Sequence, residues 1–318
     1  MTGALASHAG QMLVGLLIEV ALGWPNALFA RIGHPVSWLG KAIAAGDHGW
    51  NRKGASFARR RALGTVLALA IIALAVGTGA VLAWALPRGW AGVLLGGVLA
   101  WPLLAARSLY THVAAVARPL AAGDIAGARH AVSMIVGRDP SALDEAGIAR
   151  AAGESLAENT SDGVIAPLFW GLLLGLPGIA GYKAINTLDS MIAYRTPRHL
   201  AFGWAAARID DVANLIPARL SGLLYALVSQ RSLTALRVML RDARHHRSPN
   251  AGWPEAAFAG ALNVRLSGPR LYAEGPSRDA WLNPGAPDPT AADLQRGLAL
   301  YAHVVRMAAG ALLILAVL

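Results

Sequence analysis

The stretch ALGTVLALAIIALAVGTGAVLAWAL, residues 62–86, contains no charged residue. It is longer than the ~20 residues that a helix needs to cross the hydrocarbon core of a bilayer. Pro87, Arg88 and Gly89 follow as a tight turn, and a second apolar run, WAGVLLGGVLAWPLLAA, occupies residues 90–106. These runs therefore predict two antiparallel membrane-spanning helices.

Composition extends this prediction to the whole chain. Hydrophobic residues make up 55% of the 318 residues and charged residues only 14%, against roughly 25% charged in an ordinary soluble protein. Apolar runs at 5–23, 164–194 and 297–318 are long enough to insert, and 212–229 is predicted to insert or to lie at the interface. We therefore expect an all-α, polytopic integral membrane helical protein. Residues 1–318 would form a single membrane domain with a re-entrant or paired polar hairpin and cytoplasmic-side helical loops.

The positive charge fits a membrane protein better than a nucleic-acid-binding one. The chain has 28 Lys+Arg against 18 Asp+Glu, a formal net charge of +10. The arginine clusters flank hydrophobic segments, as the positive-inside rule describes, and no usual nucleic-acid-binding motif occurs. We expect no nucleic acid partner. The rule assigns 31–61, 107–162 and the basic loop 230–278 to the cytoplasmic side, which predicts a multi-pass protein of the inner (cytoplasmic) membrane with its active site toward the cytoplasm.

Several common chemistries are excluded by the sequence. The absence of cysteine excludes disulfides, thiolate nucleophiles, iron–sulfur clusters and Cys-based zinc sites. The glycines form neither a P-loop nor a GxGxxG turn in a βαβ context. Carboxylates, amides and basic side chains remain as the groups that could do chemistry.

Acidic residues are concentrated in three short blocks among the apolar segments between residues 154 and 219. An ionisable side chain inside or beside a bilayer is costly, so it usually faces a protein interior or a wet cavity where it has a task. This pattern favours a membrane enzyme or transporter over a passive anchor. The acidic residues of the blocks are Glu154, Glu158, Asp162, Asp189, Asp210 and Asp211.

The first block spaces Glu154, Glu158 and Asp162 at i, i+4 and i+8. If the helix persists, the three carboxylates stack on one face and repel each other. A cation would relieve that repulsion, and oxygen ligands of this kind suit Mg²⁺. The alternative is a solvated acidic helix end in which Ser161 or Asp162 is the N-cap of the next segment.

The second block places Tyr182, Asn186 and Asp189 on one helix face, with Lys183 one step around. The polar side chains could bridge membrane helices by hydrogen bonds. Alternatively, a buried Lys and Asp form a costly ion pair, which favours a functional role.

The third block contains Arg208, Asp210, Asp211 and Asn214. Arg208 and Asp211 are i, i+3, and Asp210 and Asn214 are i, i+4, so a salt-bridged helix start would explain part of the pattern. Two adjacent carboxylates with an amide also suit a divalent ion that holds a polyphosphate.

Two loops carry further candidates. HHRSPNAGWP, residues 245–254, combines turn-forming residues with two histidines and an arginine. Its Ser, Asn and backbone N–H groups could grip a phosphate or an amide, or simply form a structured turn. His34, before Pro35, could be a loop contact or a ligand.

The same blocks carry a resemblance to a known family. The chain resembles the adenosylcobinamide-phosphate synthase family of cobalamin biosynthesis, usually called CobD or CbiB, from about residue 18 to 275. Asn263 and Ser267 stand where the family pattern has glycine, and Glu255 and Phe258 where it has Met-like residues. The matching blocks are GHPVSWLG (33–40), VGRD (136–139), ESLAENTSDG (154–163), APLFW (166–170), YKAINTLDSM (182–191), FGWAAARIDD (202–211), ANLIPAR (213–219) and SPNAGWP (248–254).

The resemblance implies an ATP-dependent ligase that forms an amide bond. A propionate carboxylate of the corrinoid adenosylcobyric acid would be joined to (R)-1-amino-2-propanol O-phosphate, giving adenosylcobinamide phosphate. ATP and Mg²⁺ are the implied cofactors. A second copy of the chain or other enzymes of the cobalamin pathway are possible partners.

The resemblance also implies roles for the residues of the blocks. Asp210 and Asp211, with Glu158 or Asp162, would hold Mg²⁺ on the ATP phosphates, and Lys183, Arg208 or Arg219 would neutralise charge on the transferred phosphoryl group. Glu154 or Asp189 would accept the proton of the attacking ammonium. The catalytic set predicted is Glu154, Glu158, Asn159, Lys183, Asn186, Asp189 and Arg208; the substrate-binding set is His34, Arg138, Asp139, Asn214, Arg219, Ser248, Asn250 and Trp253.

Two other functions compete with the ligase. A transporter or ion-coupled carrier could use the same carboxylates as a proton relay, with a discontinuous helix near Pro177 at its binding site. No repeat pairs two halves of the chain, which disfavours it. The other alternative, a catalytically inactive membrane sensor, is disfavoured by the intact acidic blocks.

Overall fold

The computed structural model describes residues 2–137, 139–269, 271–272, 275–276 and 279–318, which are mostly helical. Two 3₁₀ turns lie at Trp101–Leu103 and Ala243–His245, and Ser161–Ile165 is a π-helix. The helices of these residues are α1 Thr2–Leu22, α2 Asn26–Ile32, α3 Pro35–Trp50, α4 Phe57–Ala85, α5 Trp90–Ala100, α6 Ala106–Ala121, α7 Ile125–Ser133, α8 Glu145–Thr160, α9 Ala166–Ile192, α10 Trp204–Ala213, α11 Leu215–Val228, α12 Ser232–Asp242, α13 Gly252–Leu262 and α14 Ala291–Val317.

Strands are confined to one short region of the described chain. β1 (Leu266–Ser267) pairs antiparallel with β4 (Trp281–Leu282), and β2 (Leu271–Tyr272) pairs antiparallel with β3 (Gly275–Pro276). With two residues each, these strands close loops and build no layer of their own.

The all-α polytopic membrane fold is confirmed. Among the described residues, five helical segments are long and apolar enough to cross a membrane. A sixth is added if α10 and α11, which bend by 47° at Asn214, count as one span. The predicted runs 62–86 and 90–106 correspond to α4 and to the segment that begins with α5.

Contacts divide the chain into two compact units, and the single membrane domain stays a prediction. Unit 1 comprises residues 1–105, 166–214 and 309–318, and unit 2 comprises residues 106–165 and 215–308. Neither unit is continuous in sequence. The acidic block at 154–162 therefore belongs to unit 2, and the blocks at 182–189 and 208–214 belong to unit 1.

The core of unit 1 depends on small residues that let α4 approach its neighbours closely. A Cβ on Gly64 would lie 1.8 Å from the carbonyl oxygen of Phe202, and a Cβ on Gly79 would lie 2.7 Å from that of Leu176. Without the glycines, these backbones could not meet. The interface is packed with buried apolar side chains, namely Leu67, Ile71, Ala75, Ala184, Leu188 and Phe202.

The predicted polar hairpin is confirmed, and α9 forms it. Gly175 interrupts the helix with a φ of 66°, a left-handed value that glycine adopts without a Cβ clash. A Cβ on Gly178 would lie 2.1 Å from the carbonyl oxygen of Trp170, whereas eight residues of continuous helix would separate the two by about 12 Å. The chain therefore turns back on itself, with limbs at 166–174 and 176–192.

Unit 2 contains a buried helix that the sequence analysis did not predict. The segment 230–278 was interpreted as a basic loop, but α13 within it is buried along its whole length except at Trp253. Alanine and glycine occupy most of its positions, so it is apolar on every side, as expected of a helix in a core. The arginines of the segment lie outside this helix.

A charge clamp ties α8 to the segment that follows β4. Arg265 donates to both carboxylate oxygens of Asp288, at 2.9 Å and 2.5 Å, and Arg150 donates to Asp288 as well. Both guanidinium groups also stack on the ring of Trp281, at 4.4 Å and 4.8 Å. The hydrogen bond from Arg265, supported by Arg150, lowers the pKa of Asp288 to about 2.

The clamp predicts an acid-dependent contribution to stability. Because the folded-state pKa of Asp288 is depressed, its stabilisation is complete above the unfolded pKa of about 3.9. It is lost as the pH falls toward about 2. At pH 7 we expect Asp288→Asn to lower the melting temperature by a few degrees, about 1 kcal/mol for a networked ion pair. Melting curves should show this difference shrinking between pH 5 and pH 2.5; a difference unchanged at pH 2.5 would contradict the clamp.

Candidate functional site

The first acidic block does not form one face. Helix α8 ends at Thr160 and continues as the π-helix Ser161–Ile165, which shifts the helical register. Glu154 is 6% exposed, Glu158 is exposed and Asp162 is half-buried. The condition for three stacked carboxylates, an uninterrupted α-helix, is therefore not met. A π-helix at this point is still of interest because such segments often occur at functional sites.

Glu154 has a structural partner in unit 2. Its Oε1 accepts a hydrogen bond from the backbone N–H of Ser267 at 2.7 Å, and both residues are buried. Asn159, in the same block, donates to the backbone oxygen of Ser155 at 2.9 Å. These contacts favour a supporting role for both residues, and their predicted catalytic roles stay predictions.

The contact with Glu154 leads to a stability prediction at Ser267. Ser267 has a φ of 60°, and a residue with a Cβ costs about 1–2 kcal/mol in this region. Its buried hydroxyl has no hydrogen-bond partner among the described residues. We expect Ser267→Gly to raise the free energy of unfolding by about 1 kcal/mol, after the entropy cost of glycine. Ser267→Ala, which removes only the hydroxyl, should gain less in a thermal melt, and an equal or larger gain would contradict the backbone explanation.

A buried network in unit 1 joins the second and third blocks. The hydroxyl of Tyr182 donates to Asn214 Oδ1 at 2.9 Å, and Asn214 Nδ2 donates to Asp210 Oδ2 at 3.1 Å. Asn214 is 1% exposed, and both ends of its amide are engaged. The structure therefore disfavours Asn214 as a substrate-binding residue, because a substrate could not reach its amide. Its amide instead contacts the carboxylate of Asp210.

The predicted i, i+3 ion pair of the third block is present. Arg208 Nη2 lies 2.8 Å from Asp211 Oδ2, and the arginine side chain is 56% exposed. Asp210 and Asp211 thus differ in their partners. The first is held by an amide and the second by a guanidinium, although they are adjacent in the chain.

Lys183, on the second limb of α9, lies near enough to His34 for their charges to interact. Lys183, Asn186 and Asp189 are all half-buried on this limb. Burial, together with the charge of Lys183, lowers the pKa of His34. His34 is the N-cap of α3, where its Nδ1 accepts the backbone N–H of Val36 at 3.2 Å, and its ring meets that of Trp24 edge-on at 4.8 Å. These contacts favour the loop-contact interpretation of His34 over the ligand interpretation.

The carboxylates fit Mg²⁺ only as an ion that arrives with phosphate ligands. Within the described residues, no group of three or more His, Asp or Glu side chains could hold a metal by itself. Mg²⁺ is usually bound through one or two carboxylates together with water and substrate phosphates. Asp210 and Asp211 suit that mode. The larger set that adds Glu158 and Asp162 stays a prediction.

Unit 2 brings together four of the eight predicted substrate-binding residues. Arg219 Nη1 donates to Asn250 Oδ1 at 3.2 Å, and its guanidinium lies 4.4 Å from the ring of Trp253. Ser248 Oγ accepts the backbone N–H groups of Asn250 and Ala251 at 3.3 Å and 3.2 Å. We call Arg219, Ser248, Asn250 and Trp253 the arginine loop.

A buried pair that the sequence analysis missed supports the arginine loop. Glu255 Oε1 lies 3.8 Å from His246 Nε2, and these side chains are 3% and 8% exposed. The other ring nitrogen of His246 accepts the backbone N–H of Ser248 at 3.1 Å. The available signal was an acid within an otherwise apolar run. It lay at a position where the family pattern has a Met-like residue.

The VGRD motif is only partly described. Arg138 lies outside the described residues. Asp139 is exposed and accepts both the N–H and the hydroxyl of Ser141, at 2.9 Å and 2.8 Å. These hydrogen bonds lower the pKa of Asp139. Asp139 therefore shapes a turn, and its predicted contact with substrate is untested.

These observations define a class: a polytopic helical membrane protein with a polar hairpin, an aspartate pair held by a buried network and a preorganised cationic loop. The chain belongs to the CobD/CbiB family, whose model, described as "CobD/Cbib protein", matches residues 12–301. That match confirms the resemblance inferred from the motif blocks.

Three similar proteins share the same name. The chain is 64% identical over 299 residues to a protein of Rhodobacter capsulatus, with 93% of each chain covered. It is 47% identical over 308 residues to one of Brucella suis biovar 1, again with 93% of each covered. It is 45% identical over 313 residues to one of Sinorhizobium sp, covering 96% of this chain and 97% of the relative. All three are called "Cobalamin biosynthesis protein CobD". No solved structure matches the chain.

Proposed function

We propose that the protein is an ATP-dependent amide ligase of cobalamin biosynthesis. It would join adenosylcobyric acid to (R)-1-amino-2-propanol O-phosphate and release adenosylcobinamide phosphate. Membership of the family and the name of the relatives support the pathway. The arginine loop is the observation that supports the substrate class, because its oriented guanidinium and the nearby charge of Arg244 would attract an anion.

The arginine loop suits a phosphate monoester. Arg219 is held by Asn250 on one side and by the ring of Trp253 on another, so its fork is oriented before a ligand arrives. Arg244 is near enough for its charge to interact with that of Arg219. An anion bound between two like positive charges reduces their mutual repulsion. The phosphate of the amine substrate meets this requirement, and so would a phosphate of ATP.

The aspartate pair of unit 1 suits the nucleotide. Mg²⁺ supplies charge neutralisation on the ATP phosphates when it is bound, and Asp210 and Asp211 are the residues that would hold it. Arg208, 56% exposed beside Asp211, would stabilise charge on the transferred phosphoryl group. Lys183, also in unit 1, would stabilise the same charge.

The chemistry requires activation of a carboxylate. Attack of the propionate oxygen on the γ-phosphorus of ATP forms an acyl phosphate and releases ADP. The amine then attacks the acyl carbon, the C–N bond forms, phosphate leaves and the amine loses a proton. Asp189, half-buried on the second limb of α9, is the base that we propose for this proton.

The proposed setting is the inner membrane, with the site toward the cytoplasm, where ATP is available. Arg59, Arg60 and Arg61 at the start of α4 support this orientation through the positive-inside rule. The partners are the corrinoid, the aminopropanol phosphate and the lipid bilayer. Assembly with a second copy or with pathway enzymes also belongs to this proposal.

The test is a coupling reaction with purified, detergent-solubilised protein. Adenosylcobyric acid, aminopropanol phosphate, Mg²⁺ and ATP are combined, and the amide product is read by mass spectrometry together with ADP. Product that requires all four components supports the ligase. ATP turnover without both organic substrates, or no product from well-folded protein with either candidate amine, would overturn it. The transporter, which the break of α9 at Gly175 would suit, is then tested by substrate uptake into proteoliposomes.

A further inference from the structure

Apart from Arg208 and Tyr182, the residues that line a cavity in unit 1 have no role in the proposed reaction. The cavity measures about 640 Å³ and lies among α4, the hairpin α9 and α10. Its walls are almost wholly apolar, so they suit neither a nucleotide nor the amide-rich edge of a corrin. Its apolar lining includes Ile72, Val76 and Leu174.

The cavity lies at bilayer depth. Its lining on α4 runs from Thr65 to Val76, which at 1.5 Å per residue is about 16 Å of helix. α4 is among the helices long and apolar enough to cross a membrane. About 16 Å is half of the ~30 Å hydrocarbon core, the depth that the acyl chains of one leaflet occupy.

One end of the cavity is cationic. Arg61 lies one turn before Thr65, and its guanidinium is 3.5 Å from the ring of Trp204, which lines the cavity. Arg208 lies one turn after Trp204 on α10 and lines the cavity too. Trp204 is 41% exposed, and tryptophan is enriched at the level of the lipid headgroups. Two arginines and a tryptophan therefore mark the headgroup end.

The opposite end is lined by apolar residues. Val76 packs closely against Gly181 where the second limb of α9 passes α4. A Cβ added at Gly181 would lie only 2.7 Å from Val76 Cγ2. Leu174 and Pro177 line this end at the turn of the hairpin. The cavity is thus amphipathic along its length, with positive charge at one end and hydrocarbon at the other.

We propose that this cavity binds an anionic phospholipid from the leaflet on whose side Arg59, Arg60 and Arg61 lie. The phosphate of the headgroup contacts Arg61, and an acyl chain fills the space between α4 and the hairpin. Charge complementarity selects the occupant, because a zwitterionic lipid offers the arginines no net negative charge. Lipid binding through Arg61 uses none of the side chains that hold the nucleotide in the proposed ligase, and it is the same whichever side of the membrane is cytoplasmic.

Native mass spectrometry tests this site. The purified protein is incubated with phosphatidylglycerol or with phosphatidylcholine of the same acyl chains, and retained lipid is counted per folded monomer. We expect one phosphatidylglycerol to be retained in preference to phosphatidylcholine by about 10-fold. Equal retention of the two lipids would overturn the proposal.

Two matched pairs of variants locate the lipid. Arg61→Gln should remove the preference for phosphatidylglycerol, whereas Arg59→Gln, an exposed change on the same helix, should keep it. Ile72→Trp fills the cavity and should abolish retention, whereas Leu69→Trp adds the same ring at a position that is 55% exposed and outside the lining. The Arg61 pair changes exposed side chains and keeps the test valid if Ile72→Trp fails to fold. Identical behaviour of Arg61→Gln and Arg59→Gln would refute the site.

Discussion

Asp210→Asn is expected to lower kcat of the coupling reaction by at least about 100-fold, the usual effect of removing one charged group that stabilises a transition state. The substitution keeps the size of the side chain and removes its charge. Asp210 Oδ2 is held by Asn214, which Tyr182 holds in turn. The carboxylate is therefore fixed before the nucleotide arrives, and little of its effect is lost to reorganisation. The measurement is the initial rate of amide formation at saturating substrates.

Tyr182→Phe tests whether the network only positions Asp210. It deletes one buried hydrogen bond and leaves the charge in place, so a loss of about 10-fold in kcat with little change in KM for ATP is expected. Glu145→Gln, which neutralises an exposed acid at the start of α8, serves as the control and should leave the rate unchanged. Full activity of Asp210→Asn would remove the metal assignment. An equal loss in Asp210→Asn and Glu145→Gln would point to a general effect of charge.

The sequence predicted local structure well because local structure depends on local patterns. The hairpin turn at 174–178 followed from Gly175 and Pro177, and the ion pair of Arg208 with Asp211 followed from their spacing. What the spacing could not reveal is burial. Asn214 looked like a residue available to substrate, but α10 and α9 enclose it.

Two larger features depend on contacts distant in the sequence. The three segments of unit 1 are separated by 60 and 94 residues of unit 2, and no periodic pattern specifies which segments will pack together. The helix α13 escaped prediction because its small residues give no amphipathic period. Glu154 accepts a hydrogen bond from Ser267, which lies 113 residues away in the sequence. The candidate residues were thus identifiable from the motifs, whereas their distribution between two units was not.

Arg219→Ala is expected to raise KM for aminopropanol phosphate by about 10- to 100-fold, because a hydrogen bond to a charged group contributes about 1.5–3 kcal/mol. The effect should fall on the phosphorylated amine alone. Unphosphorylated aminopropanol has no anion for the guanidinium to bind, so its KM should change little. Arg219→Lys keeps the charge but not the planar guanidinium that Asn250 and Trp253 orient. Its KM for aminopropanol phosphate should therefore lie between those of the unchanged protein and Arg219→Ala.

The comparison of the two amines distinguishes recognition from stability. If Arg219 only braced the loop, its removal would disturb Asn250 and Trp253 and raise KM for both amines alike. Arg237→Ala, an exposed arginine of α12 in the same unit, controls for the loss of positive charge and should leave both KM values unchanged. A KM for ATP that rises in place of that for the amine would assign the arginine loop to the nucleotide. That result would also require another site for the amine phosphate.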